Sequence, residues 1–186
     1  MQKIILASQS PRRKQLLEWA EVPFEIIVKE TDESYPNDLS IDEIAMHIAR
    51  NKALAVRPTV VASVPVLAAD TIVVLEKQII GKPKDRQDAV NILSQLSGKK
   101  HQVITGVVIL HHDKEIAFAE ITEVHFHELR LEQVEFYVDN YKPYDKAGAY
   151  AIQEWIGVVG IKNINGDFYN VMGLPVSRVV QALHSL

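Results

Sequence analysis

The chain has 186 residues, a formal net charge of -4 and a 47% hydrophobic share. That length suits one compact domain or two tightly packed lobes, and that apolar share builds a core rather than a disordered chain. The acidic excess argues against a general nucleic-acid binder, which carries a basic field, and the absence of cysteine excludes disulfides, thiol catalysis and thiolate metal sites, as in a cytosolic protein.

Met1 leads almost directly into Ile4-Ile5-Leu6, too short a run for a signal sequence or a membrane span. Lys3 to Ala7 reads as a short buried strand. Ser10-Pro11 gives an N-cap followed by proline at the first helical position, for a helix to about Ala20 with Leu16, Leu17 and Trp19 as apolar surface. Phe24 to Val28 reads as a second strand, and Glu30 to Leu39, polar with Pro36 and Asn37, as a loop. Ser40 and Glu43 make a capping box for a helix to about Val56. Val60 to Leu75 is an apolar, β-branched strand interrupted by Pro65, with Asp70 inside it. Lys77-Gln78 turns the chain into a return strand ending at Gly81.

Asp85 to Leu96 reads as a helix closed by Ser97-Gly98, with a soft division of the chain near Gly98. Val103 to Leu110 and Glu115 to His127 form a hairpin around His111 to Lys114. Leu131 to Val138 is a short helix, and Tyr141 to Tyr150 a loop with no regular period. Short strands follow, broken at Asn165-Gly166, and Pro175 to Leu183 makes a terminal helix. The early alternation of strand and helix, followed by a hairpin, indicates an α/β layer architecture with a mixed sheet.

Asp70 carries the first chemical signal. A carboxylate in an apolar strand is costly unless it is paired, protonated or bound to a cation. It reads either as a structural hydrogen-bond acceptor or as a metal ligand or general base, and the second is favoured. Arg12-Arg13 follow Ser8-Gln9-Ser10-Pro11 at a helix N-terminus, where cations oppose the helix dipole. They make sense around a bound phosphate, with a solvated pair as the equal alternative.

Ile41, Ile44, Ile48 and Lys52 follow helical spacing, so Lys52 either snorkels at the end of an apolar stripe or aims its ammonium into a polar pocket. Lys82 stands after the return strand, an ordinary turn lysine by itself but able to approach Asp70 across a hairpin. Asp32 and Glu33 read as solvated, unless Glu33 shares a hard cation with Asp70. Gln153, after the small residues of Ala147-Gly148-Ala149, has an amide able to read a base edge. Glu123, His125 and His127 share a strand face that reads as polar surface, with a zinc site as the lesser alternative.

In chain order, Leu6 to Arg13, the Asp32-Glu33 loop, Lys52, Ala69-Asp70-Thr71, Gly81-Lys82-Pro83, Asp145 to Gln153 and Asn170-Val171-Met172-Gly173-Leu174-Pro175 resemble the Maf family of nucleoside triphosphate pyrophosphatases. The resemblance spans essentially the whole chain. It implies one Maf-like domain over residues 1–186: an elongated mixed β-sheet flanked by helices, with two lobes and a central cleft, as in inosine triphosphate pyrophosphatases.

It implies hydrolysis of a nucleoside triphosphate to monophosphate and diphosphate with a divalent cation, Mg or Mn, in the cytoplasm. Tyr150-Ala151-Ile152-Gln153 and Phe168-Tyr169-Asn170 resemble the members acting on dTTP and UTP, with modified pyrimidine triphosphates as further substrates. Glu154 departs from the glycine usual in that subgroup. The resemblance assigns Asp70 as proton acceptor or cation ligand, Glu33 to the cation, Arg13, Lys52 and Lys82 to phosphate charge, Ser8 to a phosphate hydrogen bond, and Arg12, Thr71 and Gln153 to base selectivity. The alternatives are another base preference, such as 7-methyl-GTP or CTP, and a non-catalytic inhibitor of septum formation. No nucleic-acid or membrane partner is expected, and a homodimer is compatible with the family.

Overall fold

The computed structural model describes residues 2–186. Its elements in chain order are β1 (Ile4–Leu6), α1 (Pro11–Trp19), β2 (Phe24–Ile26), α2 (Ile41–Val56), β3 (Val66–Leu75), β4 (Gln78–Ile80), α3 (Arg86–Leu96), β5 (Lys100–His111), β6 (Lys114–Phe126), α4 (Leu131–Tyr141), α5 (Trp155–Gly160), β7 (Ile161–Asn165), α6 (Phe168–Met172) and α7 (Val176–His184). The sheet has seven strands in the order β2-β1-β3-β5-β6-β7, with β4 paired to β3. Pairing of β1 to β2 and β3 is parallel, whereas β3–β4 and β6–β7 are antiparallel. The fold is therefore α/β with an open mixed sheet and flanking helices.

The chain forms two compact units, the first from Met1–Thr71, Ile104–Glu120 and Gly173–Leu186, the second from Ile72–Val103 and Ile121–Met172. The expected division near Gly98 is not where the units part. Gly98 lies inside the second unit, because the boundaries fall within the long strands β3, β5 and β6.

In the first unit, α2 starts where Glu43 accepts from Ser40 N at 2.8 Å and from Ser40 Oγ at 2.6 Å. These bonds satisfy helix-terminal groups and hold the Glu43 carboxyl below its ordinary range. Ala49, Ala53 and Val56 of α2 pack with Ile5, Ala7, Val66, Ala68, Val108 and Leu110 of the sheet. Small side chains let helix and sheet approach closely, and Gly106 of β5 marks the tightest point. A Cβ there would lie 2.3 Å from the backbone of Ala45 and of Met46. Gly106→Ala must push α2 off the sheet, because no flexible side-chain end is available to give way. Expected is a loss of about 2–3 kcal/mol, roughly 5–10 °C in melting temperature, measured by thermal unfolding.

In the second unit, Glu76 and Lys77 adopt positive φ (50° and 70°) and close the β3–β4 hairpin, a geometry that matches strand twist. Val73, Val103 and Val124 form a core beneath Ile80, Ala147, Ile161 and Val171. His101 is buried against Phe126 and Tyr150, with Nε2 and the Tyr150 hydroxyl 2.7 Å apart. Among the described residues its Nδ1 has no hydrogen-bond partner.

Burial lowers the His101 pKa to about 4 from its ordinary 6.5. A folded-state pKa below the unfolded value means the unfolded chain takes the proton first. Stability from this group is full above pH 6.5 and drains as pH falls toward 4, at about 1.4 kcal/mol per pH unit. His101→Gln should flatten that part of the pH profile, read as denaturant midpoints between pH 7 and pH 4.5.

Several segments differ from the sequence reading. α4 runs on to Tyr141, and Ala147–Ala149 forms a 3-10 turn within the expected loop. Of the short strands expected after Tyr150, β7 is present and ends at Asn165, before the expected break at Asn165-Gly166, whereas α5 and α6 on either side of it are helices. Ile156, Val158 and Val159 carry β-branched strand propensity. Local geometry overrides it: Gly157 N and Val158 N both donate to Glu154 O, at 2.9 and 3.3 Å. Gly157 permits this turn, since a Cβ there would lie 1.6 Å from Ile152 O. β3 also begins later than expected, at Val66, directly after Pro65, whose carbonyl accepts from Ile5 N at 2.8 Å.

Candidate active site

The first unit gathers two linked groups. One surrounds Arg13 on α1. Ser10 caps that helix, accepting from Arg13 N at 3.4 Å, with Pro11 in its first turn. Arg13 stands three and four residues before Leu16 and Leu17, so it shares their buried face. Its guanidinium donates from Nε to Gly173 O at 2.8 Å, from Nη1 to Ser8 Oγ at 3.1 Å and from Nη2 to Thr71 Oγ1 at 3.0 Å. Ser8 Oγ also accepts from Ser10 N at 3.2 Å. With both lone pairs engaged, the Ser8 hydroxyl hydrogen is left to donate.

Burial lowers the pKa of the Arg13 guanidinium, and the negative charge of Asp70 is the strongest force opposing it. Arg12's like charge adds to the lowering, while Glu33 acts against it. An arginine guanidinium nonetheless keeps its charge in a protein. Of the two readings of Arg12-Arg13, a solvated pair fails for Arg13, which is buried. Arg12 is half-buried beside it.

The other group centres on Lys52 of α2. Lys52 Nζ donates to Asp70 Oδ1 at 2.7 Å and pairs with Glu33 Oε1 at 2.8 Å. The Lys52 and Asp70 side chains are 19% and 16% exposed, whereas Glu33 is 57% exposed. Ile44 and Ile48 of the predicted stripe are buried, and Lys52 continues it, turned toward carboxylates rather than snorkelling into open water. Asp70 thus meets the condition set by the sequence, a carboxylate in an apolar strand with its charge paired. Residues 70 and 71 are adjacent on β3, so one strand carries both the Lys52 contact and the Arg13 contact.

The donor set suits a hard divalent cation. Asp70 and Glu33 supply carboxylate oxygens that already converge on one positive charge. Magnesium takes one or two carboxylates and completes its shell with water and phosphate oxygens. Glu123, His125 and His127 do not form a zinc site: Glu123 pairs with Lys100 at 2.9 Å, and His125 stands opposite Asn163 on β7. Among the described residues no group of three or more histidine, aspartate or glutamate side chains is placed to hold a metal ion.

Lys82 and Gln153 belong to the second unit, and both are exposed. Lys82 follows β4, and Gln153 precedes α5. The sequence reading gives no role to two partners of the Arg13 group, Thr105 and Gly173, although Gly173 stands in the 170–175 motif. Gly173 contributes a backbone carbonyl, which no residue type announces. Thr105, on β5, lies 3.0 Å from Thr71 Oγ1 through its own hydroxyl. A polar residue beside Gly106 in the otherwise apolar run from Val103 to Leu110 is the available signal.

The Maf-like protein family model matches residues 3–186. A dTTP/UTP pyrophosphatase of Cytophaga hutchinsonii is 50% identical over 183 residues, covering 98% of this chain and 84% of that protein. A dTTP/UTP pyrophosphatase of Bacillus cereus is 49% identical over 183 residues, covering 98% and 95%. The solved structure of the Staphylococcus aureus Ham1 protein is 13% identical with a TM-score of 0.46, covering 67% of this chain and 72% of that one. With one family model spanning nearly every residue and relatives at half identity over the same length, the chain belongs to the Maf family.

Proposed function

We propose that this protein hydrolyses dTTP and UTP to the nucleoside monophosphate and diphosphate, in the cytoplasm, with residues 1–186 working as one Maf-like domain. The observation that carries the reading is the Lys52 ammonium shared by Asp70 and Glu33, beside a buried Arg13. Such an arrangement of alternating charge suits a polyphosphate, whose hydrolysis is mainly a matter of positioning and charge neutralisation.

Asp70 accepts the proton of the water that attacks the α-phosphorus. The new bond forms between that oxygen and phosphorus, the bond to the bridging oxygen breaks, and diphosphate leaves with the electron pair. Arg13, Lys52 and Lys82 balance the phosphate charge, and Ser8 donates a hydrogen bond to it. Arg12, Thr71 and Gln153 set base selectivity. Asp70 and Glu33 would hold a magnesium or manganese ion, which when bound neutralises phosphate oxygens.

A panel of triphosphates decides the reading: dTTP, UTP, CTP, GTP and 7-methyl-GTP, each with magnesium or manganese and with diphosphate measured. Preferred turnover of dTTP and UTP supports it. Preferred turnover of 7-methyl-GTP or CTP replaces the substrate, and no diphosphate from any member sinks the enzymatic reading.

A further inference from the structure

We propose that Tyr137 and Glu154 act as positioning residues that set base selectivity, by fixing the turn that presents Gln153. The proposal rests on the reading of Gln153 as the group that meets the base.

Tyr137 projects from α4 and is fully buried. Its hydroxyl donates to Glu154 Oε2 and accepts from Ala151 N at 3.1 Å. One oxygen therefore ties both ends of the segment 151–154. The turn is closed by Glu154 N donating to Ala151 O at 3.1 Å. Lys146, nearly buried, places Nζ 3.9 Å from the other Glu154 carboxylate oxygen and 2.7 Å from Asp145 Oδ1. On the far side, Gly157 brings α5 so close that a Cβ would strike Ile152 O. Ala151 and Ile152 are buried, and Gln153 is the exposed member of the turn.

An amide reads a base edge only when its orientation is fixed. Uracil and thymine present a carbonyl acceptor at the edge where cytosine presents an amino donor. An amide that swings freely offers its oxygen or its nitrogen to either base and loses the distinction. Glu154 and Tyr137 fix the backbone from which the Gln153 amide projects, without contacting substrate.

The test compares Glu154→Ala, Tyr137→Phe and Glu154→Gln in the full chain. Losing the anchor should lower the ratio of kcat/KM for dTTP to that for CTP by about 5–30-fold, the scale of one or two hydrogen bonds. The change should come through KM for dTTP, with kcat within about 2-fold. Glu154→Gln keeps an oxygen for the Tyr137 hydroxyl and should keep the ratio. In a Gln153→Ala background, Glu154→Ala should have no further effect on the ratio.

Amide exchange at Ala151, measured without nucleotide, should quicken in Tyr137→Phe and Glu154→Ala and stay slow in Glu154→Gln. An unchanged ratio in the two disruptive variants, a Gln variant as poor as Ala, or an added effect without Gln153 would each overturn the proposal. Wild-type inactivity on dTTP and UTP would overturn the functional reading and the selectivity role with it. Unchanged exchange at Ala151 would overturn the anchor itself.

Discussion

Asp70→Asn is expected to lower kcat on dTTP and UTP by about 10²–10⁴-fold, the range a positioned proton acceptor contributes. The substitution keeps the shape of the side chain, and its amide oxygen can still accept from Lys52, which now meets Asp70 at 2.7 Å. What disappears is the charge, and with it the capacity to take a proton from water. Two secondary effects point the same way. Lys52 is left with the exposed Glu33 as its anionic partner in this pair of contacts. Arg13 loses the strongest negative charge opposing its desolvation. Because Asp70 is partly exposed, the variant should stay folded, with a circular dichroism spectrum like that of the parent. A kcat within a few-fold of wild type would remove Asp70 from the chemistry.

Arg13→Lys should cost both stability and activity, although it conserves charge. The guanidinium fork reaches Ser8, Thr71 and Gly173 from three different nitrogens. A lysine ammonium concentrates its donors on one atom and cannot span them. At least one partner is then left unpaired in a buried place, at a cost of about 2–4 kcal/mol, roughly 5–15 °C in melting temperature. The same loss frees Ser8 and Thr71 to rotate, so kcat/KM should fall by about 10–10²-fold. The effect should exceed that of Arg12→Lys on stability, since Arg12 is only half-buried on the same helix. Equal melting temperatures for the two variants would contradict the role given to Arg13.

Much of this site was readable before any coordinates. Asp70 stood out because an apolar strand does not tolerate a lone carboxylate. Lys52 stood out because a charge continued an apolar stripe. The partner that joins them is a matter of tertiary structure: the hydrogen bond from Lys52 to Asp70 spans 18 positions. Arg12 and Arg13 are chemically identical in sequence, and only helical phase against Leu16 and Leu17 separates the buried one from its neighbour.

The helices α1, α2, α3 and α7 were marked by caps, proline and periodicity, and these signals are local. By contrast, α5 was hidden by β-branched residues whose propensity yields to the tight turn at Gly157. The carbonyl of Gly173 was invisible, because a backbone acceptor has no side-chain signature.

Attack of water on the α-phosphorus is followed by isotope placement. Wild-type protein is incubated with dTTP and magnesium in ¹⁸O-enriched water, and the products are weighed by mass spectrometry. The label is expected in thymidine monophosphate, with unlabelled diphosphate. Label in the diphosphate, or orthophosphate as the released product, would show that water attacks another phosphorus.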